Sequence, residues 1–138
     1  MNTSAKAPLT QLFRLTSALR DLDKDMAVNT VHILFIIARN PGISSQDIMK
    51  QAEMTQPSTS RHLAILSGMT NLRKQGGYDF IDLVEDVNDR RNKVAFLTSE
   101  GKAFLSKLTA IIAPGEEEEI KNLPTSKDYL KGARNGRR

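Results

Sequence analysis

Two helix starts crowd into the middle of the chain, and they leave little choice of fold. In Ile43-Ser44-Ser45-Gln46-Asp47-Ile48, Ser44 is placed to cap, Asp47 sits at the third helical position, and Ile43 and Ile48 can staple the start. A second start follows at Thr55-Gln56-Pro57-Ser58. Thr55 is the cap, and Pro57 is tolerated because the first turn needs no N–H from it. A short helix, a tight turn after Glu53-Met54 and a second helix therefore fall within residues 44 to about 74. That is helix-turn-helix spacing.

The second helix has two chemically different faces. Leu63, Leu66, Met69 and Leu72 recur at three-residue steps and turn inward. Ser58, Ser60, Arg61, Ile65 and the neighbouring His62 are left outside, behind a first turn that also holds Thr55, Gln56 and Thr59. No acid occurs from Gln56 to Gln75, whereas Arg61, Arg73 and Lys74 are basic. A helix facing only water normally mixes signs. Short hydroxyls and backbone N–H groups followed by an arginine suit a phosphate-lined groove, because hydroxyls approach phosphates closely and arginine reaches guanine edges.

The flanks complete the pattern. Leu12, Leu15, Leu19, Leu22 and Met26 are spaced three and four apart, an apolar stripe on one helical face. It suits a core or a subunit contact, since two heptads are too few for a coiled coil alone. Val31–Ala38 is apolar all round apart from His32 and predicts a buried central helix, capped by Asn29 or Thr30 and stopped at Asn40-Pro41-Gly42. His32 is read as a core or interface residue. After Gly76-Gly77, the alternation of Ile81, Leu83 and Val87 and the β-rich Val94–Leu97 predict a two-stranded hairpin. Its turn is Asn88–Asn92, with Arg90 and Arg91 at the tip and Asp89 and Lys93 beside them. Thr98-Ser99-Glu100-Gly101 opens another helix, with Phe104, Leu105, Leu108, Ile111 and Ile112 inside and Pro114-Gly115 ending it. Glu116–Glu119 starts a last short helix, its carboxylates favouring the positive end of the dipole. Helix, helix, helix-turn-helix, hairpin, helix is a winged helix-turn-helix, mostly α with a small β-hairpin.

The stretch DRRNKVAFLTSEGKAFL, residues 89–105, resembles the wing-to-helix signature of the MarR-type regulators: Asp-x-Arg, alternating apolars, then Leu-Thr-x-x-Gly. MTQPSTSRHL, residues 54–63, resembles the start of the recognition helix in that family and in the related ArsR type. With the flanking helices the resemblance covers about residues 10–124. It implies a homodimeric regulator of transcription that binds double-stranded DNA, with recognition helices in major grooves and wings in minor grooves or on phosphates. It assigns DNA contact to Thr55, Gln56, Ser58, Thr59, Ser60, Arg61, His62 and Ile65 on the helix, and to Asn88, Asp89, Arg90, Arg91 and Lys93 on the wing. Thr98 and Gly101 match the wing's junction with the next helix. Dimer contacts fall to Leu12, Leu15, Leu19, Leu22, Leu105, Leu108 and Ile112. A small-molecule effector is a family habit, but no residue here identifies one.

The chain departs from the pattern in three places. Glu53 stands where a small Gly is usual, and Ala64 stands where an acid usually braces the wing arginine, which leaves Asp89 as a local brace for Arg91. The span from Leu66 to Asp89 is also longer than usual, so the segment around Gly68–Asp79 either lengthens the recognition helix or forms a loop. Asp79, Asp82, Glu85, Asp86 and Asp89 all lie near the proposed DNA face.

Charge sharpens the picture. The net +4 sits entirely in Thr125–Arg138, which has five basic residues and one acid, so the rest of the chain is neutral. Residues 1–124 are therefore expected to form a single winged-helix domain, followed by a basic, flexible tail over 125–138. The chain has no Cys and only two His, too few nitrogen and sulfur donors for a metal-sensing site. No Gly-rich phosphate loop or catalytic triad appears, so neither an enzyme nor a cofactor is expected. No apolar run approaches a membrane span, and MNTSAKAPLTQLF does not read as a signal peptide. The expectation is a cytoplasmic, nucleoid-associated homodimeric repressor. The alternative is a winged-helix adaptor acting on a polymerase or replication complex, suggested by the neutral body and the acidic hairpin.

Overall fold

The computed structural model describes the backbone of residues 3–68 and 78–136 and the side chains of 7–68 and 78–132. Helix α1 (Thr3–Leu22) leads into α2 (Val28–Arg39). The leucine stripe is helical only as far as Leu22, because Met26 lies in the connection between α1 and α2. As the apolar run within Val31–Ala38 predicts, α2 is central, with Ile33, Leu34 and Ile37 fully buried and His32 exposed, outside this chain's core. Neither Asn29 nor Thr30 caps it: the cap position is Ala27, in extended backbone with no side-chain bond. The expected stop holds, since Asn40 Nδ2 donates to the Ile36 carbonyl at 2.8 Å.

Strand β1 (Ile43–Ser44) precedes α3 (Ser45–Ala52) and α4 (Gln56–Ser67). Both caps form as read, with the Asp47 N–H donating to Ser44 Oγ at 3.1 Å and the Ser58 N–H to Thr55 Oγ1 at 3.2 Å. Between the helices Glu53 takes the left-handed conformation at φ 54°. That conformation costs a side-chain-bearing residue about 1 kcal/mol, and it is the turn that Gly would make freely. Helix α4 is shorter than expected. Gly68, at φ 77°, closes it after Ser67. Met69, Leu72, Arg73, Lys74 and Gly76-Gly77 lie outside the described residues.

Strands β2 (Ile81–Asp86) and β3 (Asp89–Leu97) form the hairpin, but the sheet has three strands in the order β1-β3-β2, all antiparallel. Ile43 pairs with Ala95 and Ser44 with Val94. A two-residue strand carries no alternation to read in advance. The hairpin closes at Asp86 opposite Asp89, after a bulge between Glu85 and Asp86. The tip is therefore Val87-Asn88, and Arg90 and Arg91 stand in the first residues of β3 instead of at the tip.

Helix α5 (Ser99–Ile112) starts on Thr98, whose Oγ1 accepts the Gly101 N–H at 3.0 Å and donates to the Asp79 carbonyl at 2.7 Å. Leu105, Leu108 and Ile111 are buried beside Ile33, Ile37, Leu63 and Ile81 in one core. Ile112, expected inside, is 55% exposed. A short α6 (Glu117–Lys121) follows, as the carboxylate run suggested.

Where composition pointed to a flexible tail, the chain forms α7 (Ser126–Gly136). Thr125 and Asp128 cap it reciprocally, through Asp128 N–H to Thr125 Oγ1 at 3.2 Å and Thr125 N–H to Asp128 Oδ2 at 2.9 Å. These bonds hold the Asp128 carboxyl below its usual pKa. Tyr129 packs its ring 5.3 Å from that of Phe96, so α7 lies against the wing sheet. Among the described residues no helix is long and apolar enough to cross a membrane.

Candidate nucleic-acid interface

The recognition-helix candidates do not all face the same way. Thr55, Gln56, Ser60 and Arg61 are exposed, and Ser58 and Ile65 are half-buried. Thr59 is a correction: it is buried, and its hydroxyl donates to the Thr55 carbonyl at 2.8 Å, so it has no surface to offer DNA. His62 is another. Its Nδ1 shares a 2.7 Å hydrogen bond with Oγ1 of buried Thr30, which turns the ring toward α2 and away from the outer face. The outward surface is thus Gln56, Ser60 and Arg61, with Thr55 and Ser58 at the helix mouth. No acid occurs anywhere along α4.

Burial, and secondarily the Arg61 charge, holds His62 below the usual pKa of 6.5. The ring therefore stays neutral in the folded chain while the unfolded chain takes up a proton below about pH 6.5. Its contribution is complete above that value and shrinks as pH falls toward the lower, folded pKa. Thermal melts between pH 7.5 and 5 should show the melting temperature falling with pH, with part of that slope missing in His62→Gln. Identical slopes would contradict this assignment.

The wing brings its arginine to the helix. Arg91 is 91% exposed at its side chain, and its Nε lies 3.3 Å from Asp89 Oδ1, which also accepts the Arg91 N–H at 3.1 Å. Asp89 Oδ2 accepts from Asn92 Nδ2 at 3.3 Å. A local carboxylate thus orients the guanidinium, and Ala64 plays no part in bracing it. An exposed pair of this kind contributes little stability, so its effect is on direction. Arg91 and Asn92 line one wall of a cleft of about 160 Å³, with Gln46, Gln56 and Ser60 on the others. Asn88, Arg90 and Lys93 are exposed nearby.

The apolar candidates separate into two groups. Leu105 and Leu108 are buried in this chain's own core and are not free for a partner, and Leu15 and Leu19 are partly packed against that core. Leu12 (58% exposed), Leu22 and Ile112 remain on the surface. Phe13, 71% exposed, and Leu9 join them. Phe13 lies off the three-four stripe, whereas Leu9 extends it by one three-residue step before Leu12. Gln11 Nε2 donates to the Ile111 and Ile112 carbonyls at 3.4 and 3.3 Å, fixing α1 against the end of α5.

One further link ties the helical end to the site. The Tyr78 hydroxyl donates to Asp23 Oδ2 at 2.6 Å, and the Tyr78 N–H bonds to the Ile65 carbonyl near the end of α4. Tyr78 stacks on Phe80, and Phe80 on Phe104. Burial and Asp23 together raise the phenol's pKa, while its hydrogen bond lowers that of Asp23. Among the described residues no group of three potential ligands is placed to hold a metal.

Residues 29–69 match the family model of bacterial regulatory proteins of the ArsR family, a model of regulators and not of enzymes. No curated protein matches the chain by sequence. Solved structures are similar in fold. The RV1404 protein from Mycobacterium tuberculosis matches at TM-score 0.62 and 15% identity, over 97% of this chain and 86% of that one. A MepR variant from S. aureus, bound to an oligodeoxyribonucleotide, matches at 0.57 and 22%, over 93% and 86%. A MarR variant from E. coli, complexed with operator DNA, matches at 0.54 and 17%, over 97% and 88%. The chain has the winged helix-turn-helix fold of MarR-like transcription regulators.

Proposed function

We propose that this chain is a homodimeric, sequence-specific repressor that binds double-stranded DNA, with α4 in the major groove and the wing in the minor groove. One observation carries the reading. Arg91 is aimed by Asp89 alongside a cleft whose other walls include the acid-free first turn of α4, so base-reading and phosphate-holding groups share one surface. Similarity to DNA-bound winged-helix structures supports it. Residues 1–124 act as the DNA-binding unit, in the cytoplasm and on the nucleoid. Two chains would pair through α1 and the end of α5, using Leu12, Phe13, Leu22 and Ile112, and set half-sites about one helical turn apart. No residue points to a particular effector.

Selection from random duplexes tests this directly: an enriched pseudo-palindrome is expected. On that sequence, Arg61→Ala should cost about 1–3 kcal/mol of binding and relax base preference. Arg91→Ala should weaken all sequences alike and reduce the salt slope by about 1. Unchanged affinity in both variants would refute the site. A selection that enriches nothing would favour the adaptor reading instead.

A further inference from the structure

We infer that Tyr129 is a positioning residue for the wing: through its hydroxyl, α7 splints the hairpin turn from which Arg91 is presented to the duplex. The inference rests on the duplex-binding reading above and adds to it a residue that itself touches no DNA.

The wing needs outside support. Lys93 pairs with Glu85 and Asp89 with Asp86, so Arg90, Arg91 and Asn92 have no partner on β2. Residues left over in a bulge lose the ladder that would hold them. The turn is no firmer. Among the described residues the non-glycine positions with positive φ are Glu53 and Asp79, so neither Val87 nor Asn88 has it. Two-residue turns that match the twist of a hairpin require positive φ. Val87-Asn88 closes the ribbon without that match, and Arg91 is left to the local hold of Asp89.

Helix α7 supplies what the ribbon lacks. Ile81, Ala95 and Leu97 turn to the main core, whereas Phe96 lies on the opposite face of the sheet and is still only 3% exposed. The Tyr129 ring meets it there at 5.3 Å. Beyond the ring, the Tyr129 hydroxyl accepts the Val87 N–H at 3.0 Å and donates to Asp86 Oδ1 at 3.4 Å. The same Asp86 oxygen accepts the Asn88 N–H at 2.9 Å. One phenol thus engages Val87 directly and Asn88 through Asp86, the residue opposite Asp89. The line of contacts runs from Tyr129 to the turn, from the turn to Asp89, and from Asp89 to Arg91.

Ring and hydroxyl have separate tasks. Phe would cover Phe96 equally well, so the hydroxyl is the part that reaches the turn. A second bond, from Ser126 Oγ to Asp82 Oδ2 at 2.9 Å, seats α7 on β2 four residues from Asp86. Asp82 and Asp86, acids that would repel phosphate on a bare ribbon, are therefore both engaged by hydroxyls of α7.

The test measures the full chain on the selected duplex as parent, Tyr129→Phe, Arg91→Ala and the double variant. Tyr129→Phe keeps the ring on Phe96 and should melt within about 4 °C of the parent. Its affinity should fall about three- to tenfold, with the salt slope moving toward that of Arg91→Ala. In the Arg91→Ala background the same change should cost less than about twofold, because the side chain it positions is gone. Parental affinity in Tyr129→Phe would overturn the inference alone. So would an equal loss in both backgrounds, since the hydroxyl would then act elsewhere than through Arg91. A parent that binds no duplex would overturn it together with the reading on which it rests.

Discussion

Gly101→Ala should lower stability by about 3–5 kcal/mol, in the range reserved for severe steric or core damage. An ideal Cβ at Gly101 would lie 2.1 Å from the Phe80 carbonyl oxygen and 3.0 Å from its carbon. That carbonyl has no room to retreat. It accepts the Thr98 N–H at 2.9 Å, while the Phe80 N–H is bonded to the Leu66 carbonyl at 2.7 Å. The methyl must push α5 away from the start of β2, disturbing the Thr98 cap and the Phe80–Phe104 stack together. The helix-propensity gain of Ala over Gly, about 1 kcal/mol, is too small to offset this. At about 2–4 °C per kcal/mol for a chain of this size, thermal unfolding should move down by roughly 10 °C or more. The same substitution at Gly132, where nothing lies within 4 Å, should be neutral or mildly stabilising. A Gly101→Ala melting point within a degree or two of the parent's would show that the junction yields more easily than its bonding implies.

Leu12→Glu combined with Phe13→Glu should leave each chain folded and abolish pairing. Both side chains are mostly exposed in the single chain, so their removal costs the fold little. In the proposed dimer they would be buried apolar contacts, and two carboxylates per chain would then face each other without partners. Sedimentation at micromolar concentration should change from dimer to monomer mass. Affinity for the full pseudo-palindrome should fall more than about 100-fold, because the second half-site is no longer engaged intramolecularly. Leu108→Ala provides the contrast: buried in its own chain, it should lower stability by about 2–5 kcal/mol. A parent already monomeric at these concentrations would refute the pairing.

What the sequence disclosed was mostly local chemistry. Ser44, Thr55 and Thr98 act as caps because a hydroxyl and an N–H three residues on need nothing else to find each other. Asp89 holds Arg91 for the same reason. Features set by distant partners stayed hidden. Nothing in Lys-Asp-Tyr-Leu-Lys-Gly distinguishes a docked helix from a solvated tail until the wing supplies Phe96 and the Val87 N–H. His62 sits one step round the helix from Arg61, and only Thr30 on another helix decides that it turns inward. Periodicity placed Leu105, Leu108 and Ile112 on one apolar helix without saying which of them meets its own core. The missing acid at Ala64 and the unusual Glu53 were both legible as departures, and their geometry was not.

Strand β1 has a consequence for how such a molecule would measure DNA. Ser44 pairs with Val94 of the wing and, through its hydroxyl, opens the helix that precedes α4. Reading head and wing are therefore clamped in one frame, like the two edges of a fixed gauge. In the proposed dimer each gauge is rigid, and the adjustable dimension is the opening between the two, as in a pair of calipers. Whatever tunes binding then acts on that opening, and the two-residue strand is the rivet that keeps each jaw true.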